Sequence, residues 1–165
     1  MDVELIDNFL PEENFKLLVE AILSQSFPFY HQDYITNSTE QSGIDHVNFT
    51  HLLHFKTVPA STYYPFVYEN FISKISDLRS IIRSKVNCYP RTDKNVLHAF
   101  HQDFLYPHRA LILSLNTCDG YTVFEDGTKI DSISNRAVIF DASVSHASTS
   151  CTNQKCRWNI IVNYF

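Results

Sequence analysis

From Val86 to the C-terminus the chain reads as short apolar runs separated by turn residues. VNCYP, VLHAFHQDF, RALILSLN, GYTVFEDG, RAVIFDA and RWNIIVNYF follow one another closely. Each is rich in β-branched and aromatic residues, the signature of strands. Asp119-Gly120 and Asp126-Gly127 mark turns between them, the second predicting a tight hairpin. Many short strands in close succession predict a sandwich or barrel. In RWNIIVNYF the pattern alternates: Trp158, Ile160, Val162 and Tyr164 share one apolar face, and Arg157, Asn159, Ile161 and Asn163 share the other. That second face is either solvated or lines a polar cavity.

The first 85 residues have a different rhythm. Val3 to Ile6 is a short apolar strand. Pro11-Glu12-Glu13 then places proline and acids where a helix begins, and Phe15, Leu18, Val19 and Ile22 recur at helical spacing, predicting a helix over 11–25. Phe27 to Thr36 is aromatic-rich and runs into the polar loop NSTEQSG. His46 to Lys56 predicts a strand. Over 65–85, Phe66, Phe71, Ile75, Leu78 and Ile82 form an apolar stripe that predicts a second helix. The pattern therefore predicts one domain over 1–165. Helices and flanking strands occupy 1–85, a β core occupies 86–165, and the two helices pack on the outside of that core.

Composition narrows the function classes. The 165 residues are 44% hydrophobic and 19% charged, enough to bury a real core. A net charge of −5 offers no electrostatic attraction to a nucleic-acid backbone. No stretch approaches the ~20 apolar residues of a membrane span, and the acidic start lacks the features of an export signal. An intracellular, cytoplasmic protein is expected. Its four cysteines, Cys88, Cys118, Cys151 and Cys156, form no C-x-x-C pair and are read as reduced thiols.

The candidate chemistry lies in FHQDFLYPH. On a strand, His101 and Asp103 would point to the same side, an imidazole and a carboxylate aimed at one point. His146, in DASVSHAST, supplies a third ligand type 43 residues after Asp103. Two imidazoles and one carboxylate make a facial triad that holds non-haem Fe(II) and leaves coordination positions open. His98, three residues before His101, is the rival ligand, but on a strand it faces the opposite way. His108, after Pro107, reads as a loop residue or as one near the mouth of a site. Arg157 stands 11 residues beyond His146, and its planar fork suits a carboxylate. Asn87 and Tyr89 share a face of VNCYP and could point into the same cavity.

H-x-D, a distal His and then an Arg on a final strand resembles the Fe(II)/2-oxoglutarate-dependent oxygenase superfamily. The resemblance spans Val86 to Phe165 and extends weakly to DNFLPEENFKLL; GYTVFEDGTKI and NRAVIFDA are similar to small members encoded by tailed phages, which would place the protein in a host cell. It implies a mostly β, double-stranded β-helix (jelly-roll, cupin-like) fold with packed helices. It also implies iron bound by His101, Asp103 and His146. The co-substrate 2-oxoglutarate would chelate that iron and pair its C5 carboxylate with Arg157. Tyr89, in CYP, matches a 2-oxoglutarate contact of the prolyl hydroxylases. Asn87 and Asn159 match the N-x-Y and R-x-N contacts of the nucleic-acid demethylases. Ser114 stands where one subgroup has a tyrosine reaching the C5 carboxylate.

The implied reaction consumes O₂ and releases succinate and CO₂, with ascorbate a candidate accessory reductant. CYP and GYTVFEDG favour a prolyl-4-hydroxylase-like hydroxylase acting on a peptide or small molecule, although Asp119 replaces a glycine of that pattern. Against the demethylase branch, Asn163 stands where that branch has a second arginine. The alternatives are an oxidative demethylase of nucleic acid and a non-enzymatic jelly-roll binding module. The segments 27–47 and 91–96 are the candidate loops over the site. Oligomeric state is left open.

Overall fold

A computed structural model describes residues 2–35 and 46–165. Its strands are β1 (Val3–Ile6), β2 (Tyr30–Gln32), β3 (Asn48–Phe55), β4 (Val58–Pro59), β5 (Ile81–Pro90), β6 (Arg109–Ser114), β7 (Tyr121–Phe124), β8 (Lys129–Asp131), β9 (Ala137–Asp141), β10 (His146–Ser148) and β11 (Cys156–Tyr164). Two helices, α1 (Glu12–Ile22) and α2 (Tyr64–Asn70), interrupt them. The large sheet runs β1-β9-β6-β11-β5-β3-β2, with β4 on β3; a small sheet runs β10-β7-β8. All these strand pairs are antiparallel. This mostly β architecture, with helices on one face, is the double-stranded β-helix expected from sequence.

The alternation of β11 sorts the molecule into two interiors. Ile160, Val162 and Tyr164 face the helices and pack with Leu18, Ile22, Val67, Phe71, Leu53 and Val86. Ile161 faces the other way, into a smaller cluster between the sheets with Ile112, Phe124, Val138 and Phe140. Arg157, Asn159 and Asn163 share that second face and are buried as well. The polar face is therefore a cavity wall and not a solvated surface.

Helix α1 begins after Pro11, with Glu12 and Glu13 in its first turn, and buries Leu18 and Ile22 as the periodicity requires. The helix expected over 65–85 is a correction. It stops at Asn70, a short 3₁₀ turn follows at Ile72–Lys74, and residues from Ile81 onward are strand. The stripe of Ile75, Leu78 and Ile82 mimics helical spacing. The period-two pattern of VNCYP, however, extends back through IIRSK, with Ile82, Ser84 and Val86 buried on one face. Central pairing decides the matter: β5 is hydrogen-bonded on one side to β11 and on the other to β3. The N-terminal strands β1, β2 and β3 thus belong to the same sheet as the C-terminal ones.

The hairpin at Asp126-Gly127 is confirmed between β7 and β8. Gly127 has φ +85°, and Asp126 Oδ1 accepts from the Thr128 amide at 2.9 Å.

Candidate metal and carboxylate site

The segment VLHAFHQDF is not a regular strand, a second correction. It makes isolated bridges only, Leu97 with Thr149 and His101 with His146. The second bridge is the one that matters. His101 N–H donates to His146 C=O and His146 N–H donates to His101 C=O, both at 2.9 Å. Residues paired in this way present their side chains on one face of the ladder. The two imidazoles accordingly stand with ring centroids 4.7 Å apart. Asp103 is placed by its own amide, which donates to Ala142 C=O at 3.3 Å. One ligand-type atom from each of His101, Asp103 and His146 lies within 4.8 Å of the others. Among the described residues this is the one such cluster.

Both imidazoles are held in a defined tautomer. His101 Nδ1 faces Ala99 C=O at 3.2 Å and His146 Nδ1 faces Val144 C=O at 3.0 Å. A carbonyl only accepts, so each Nδ1 carries the proton and each Nε2 keeps its lone pair. Burial and the neighbouring His146 lower the pKa of His101 to about 4, which keeps it neutral at physiological pH.

Asp103 sits in a network that sequence reasoning missed. Arg83 Nη2 pairs with its Oδ1. Asn163 Nδ2 donates to its Oδ2 at 2.9 Å. Asn163 also accepts from Arg83 Nε at 3.2 Å and donates to His108 Nε2 at 3.2 Å. His108 in turn is fixed by Tyr106 C=O at 2.8 Å. Burial alone would raise the Asp103 pKa, but Arg83, His146, Asn163 and Lys85 outweigh it and hold the carboxyl well below the usual range. Two imidazoles with Nε2 free of backbone partners, beside an ionised carboxylate, suit a divalent cation. His108 is a loop residue, the first of its two expected readings, and it is a buried anchor of the network instead of a residue of the mouth.

Arg157, 1% exposed, does not itself line the cavity; it is packed behind two residues that do, Tyr89 and Thr122. Its Nε donates to Ser132 Oγ at 2.6 Å, Nη1 to Tyr121 C=O at 2.9 Å and Thr149 C=O at 3.1 Å, and Nη2 to Thr122 Oγ1 at 3.0 Å. Its guanidinium carbon lies 5.7 Å from the centre of the Tyr89 ring. Every protein partner is neutral, and no carboxylate of the described residues pairs with it. One N–H of Nη2 remains uncommitted. A buried cation without a counter-charge is costly, and an anionic ligand relieves that cost. Gly120 permits the packing: a Cβ there would meet Ser150 C=O at 2.6 Å and Arg157 Cδ at 2.8 Å.

The narrow cavity, of about 430 Å³ including its open mouth, is lined in part by Asn87, Tyr89, Thr122, Ser148 and Asn159. Asn87 Nδ2 donates to Asn159 Oδ1 at 2.8 Å, which leaves Asn87 Oδ1 a buried acceptor without a partner. Ser114 is opposite Asn159 on β6 but does not line the cavity. His98 stacks on Tyr89 at 5.4 Å and bonds Ser148 Oγ at 2.8 Å; it joins neither the ligand cluster nor the cavity lining. Lys85, also on the wall, was hidden by the helical reading of 65–85. Burial, then the nearby Arg83, drop its pKa to about 8, with Asp103 opposing.

Of the segments expected over the site, 36–45 lies outside the described residues. Residues 91–96 are tied to the Arg157 end: Val96 N–H donates to Ser150 Oγ at 2.9 Å, and Arg91 bridges Cys151. All four cysteines are free.

This arrangement of sheets recurs in solved proteins. The chain shares its overall fold with three of them over nearly its whole length. A prolyl hydroxylase from Trichoplax adhaerens, solved with a peptide fragment of the hypoxia inducible factor oxygen degradation domain, superposes with TM-score 0.62 at 17% identity, over 99% of this chain and 83% of that one. A Pseudomonas putida prolyl-4-hydroxylase gives 0.61 at 12% identity, over 98% and 91%. A 2OG-Fe(II) oxygenase family oxidoreductase from Burkholderia pseudomallei gives 0.67 at 8% identity, over 98% and 84%. No protein-family description and no curated protein sequence matches the chain. Among the described residues no helix is long and apolar enough to cross a membrane.

Proposed function

We propose that the protein is an Fe(II)- and 2-oxoglutarate-dependent oxygenase of the prolyl-hydroxylase-like kind, hydroxylating a peptide or small molecule and releasing succinate and CO₂. The observation that carries this reading is the pairing of two charge patterns about one cavity. A carboxylate and two imidazoles converge on its wall, and a buried guanidinium without an anion among the described residues lies directly behind its lining residues Tyr89 and Thr122. His101, Asp103 and His146 would hold the iron, which supplies activation of O₂. Arg157 would take the C5 carboxylate of 2-oxoglutarate, with Tyr89, Thr122 and Asn159 lining its path. The protein's own task is positional. Backbone carbonyls fix the imidazole tautomers, the Arg83–Asn163–His108 network aims Asp103, and the two sheets keep bulk water away. The peptide in the Trichoplax enzyme supports a peptide as the substrate class.

The test is succinate release from 2-oxoglutarate with Fe(II) and O₂. Wild type should release it, even without substrate at a low uncoupled rate. His101→Ala and His146→Ala should lose both turnover and iron. Arg157→Lys keeps the charge but loses the fork, and its apparent 2-oxoglutarate affinity should fall at least about tenfold, roughly 1.4 kcal/mol. A binding module would release no succinate under any of these conditions.

A further inference from the structure

One cation on the cavity wall has no task in the reading above. Lys85 projects from β5 between Arg83 and Asn87, on the face that carries Tyr89. Among the described residues it makes no ion pair: Asp103, the carboxylate beside it, is taken by Arg83 and Asn163. It donates no side-chain hydrogen bond within the described residues either. An ammonium recessed in a cavity without a partner is as uneconomical as the unpaired guanidinium of Arg157, and it points to the same kind of ligand.

The two cations serve different ends of the cavity. Along β5 they are separated by four residues, since Arg157 is opposite Tyr89 and Ile161 is opposite Lys85. That corresponds to about 13 Å of strand. The hydrogen-bonding groups, Tyr89, Thr122, Ser148 and Asn159, gather toward Arg157. Opposite Lys85 stands Ile161, with Ile112 opposite that in turn, while Asn87 flanks Lys85 along β5. The polar groups beside the guanidinium suit the co-substrate. An ammonium facing two isoleucines across the neighbouring strands, at the end where Asp103 stands, suits a molecule with an apolar body and one negative charge.

We infer that Lys85 is the anchor for a carboxylate on the primary substrate, so that the molecule oxidised is an organic acid, or a residue bearing a free acid, with a compact apolar body. This rests on the oxygenase reading of the same cavity. Lys85 is a specificity residue in this scheme: it holds the acid end while the apolar body lies against Ile112 and Ile161 near the metal ligands. An amide of the same shape places no charge against the ammonium and is rejected.

The experiment measures binding, not turnover. Protein loaded with Zn(II) and saturated with 2-oxoglutarate is titrated calorimetrically with isovalerate and 3-phenylpropionate, and with their primary amides. In the wild type each acid should bind at least about tenfold tighter than its amide. In Lys85→Met, of similar length and without charge, that preference should vanish while 2-oxoglutarate affinity stays within about twofold. Lys85→Arg should restore the preference, and thermal melts of each variant establish that it is folded. Three results overturn the inference: no acid preference in the wild type, an unchanged preference in Lys85→Met, or a large loss of 2-oxoglutarate affinity in Lys85→Met, which would assign the ammonium to the co-substrate. If wild type binds neither Zn(II) nor 2-oxoglutarate, the oxygenase reading itself fails, which is a distinct outcome.

Discussion

Single side chains decide how this cavity is charged. Asn163 is not itself a proposed metal ligand, yet it joins Arg83, Asp103 and His108. Asn163→Leu would leave the Asp103 carboxylate and His108 Nε2 short of a donor inside the protein. We expect metal affinity to fall about 10- to 100-fold while the fold survives; competition of the variant against a metallochromic chelator measures it. His98 sets a pH dependence. Burial, then Arg157, lower its pKa from 6.5 to about 3. Between those values the unfolded chain carries a proton that the folded chain does not, so stability falls as pH drops through this window. The slope from this one group approaches about 1.4 kcal/mol per pH unit. Urea midpoints at pH 7 and pH 5 should show the loss, and His98→Gln should flatten it by about one proton.

At the scale of elements, the site is made where irregular pieces meet regular ones. The turn at Asp119-Gly120 is tied down by Asp119, whose carboxylate accepts from the Thr152 amide at 2.8 Å. Gly120 then lets β11 bring Arg157 under the turn. Gly120→Ala forces a Cβ against a backbone oxygen, which has little room to give. We expect a loss of about 1–3 kcal/mol in urea unfolding and a parallel loss of 2-oxoglutarate affinity, because the displaced atom belongs to the arginine. Equal affinity with reduced stability would separate the turn from the site. The strand β5 shows why elements are read imperfectly from sequence. Phe66, Phe71, Ile75, Leu78 and Ile82 satisfy helical spacing while Ile82, Ser84 and Val86 satisfy a two-residue period. Local pattern does not choose between them; pairing to β3 and β11 does. That one misreading hid both Arg83 and Lys85.

For the whole molecule, the candidate metal site lies at a junction that backbone hydrogen bonds between His101 and His146 already make. His101 and Asp103 lie in an irregular segment, and His146 lies on the small sheet, on β10. A cation bound by all three ties that segment to the small sheet and favours the folded state by mass action. At a free metal concentration about 100 times its Kd, the gain is about 2.7 kcal/mol. Zn(II) or Fe(II) should therefore raise the melting temperature by several degrees, EDTA should reverse the shift, and Asp103→Ala should abolish it. A melting temperature indifferent to metal would count against the three ligands acting together.

The sequence by itself determined the identity of the candidate ligands and the character of the final strand. An H-x-D followed by a distal His and an Arg is a statement about residue types and order, which no folding can alter. The alternation of β11 likewise predicted which residues face the helices, because a strand has only two faces. Only the tertiary structure decided that the polar face is buried, that His98 packs against Tyr89, and that Ser114 does not line the cavity. Only it recruited Arg83, Lys85, Asn163 and His108. Those assignments depend on contacts between residues 20 to 80 positions apart, and a local pattern of hydrophobic and polar positions carries no information about which distant partner a side chain will meet.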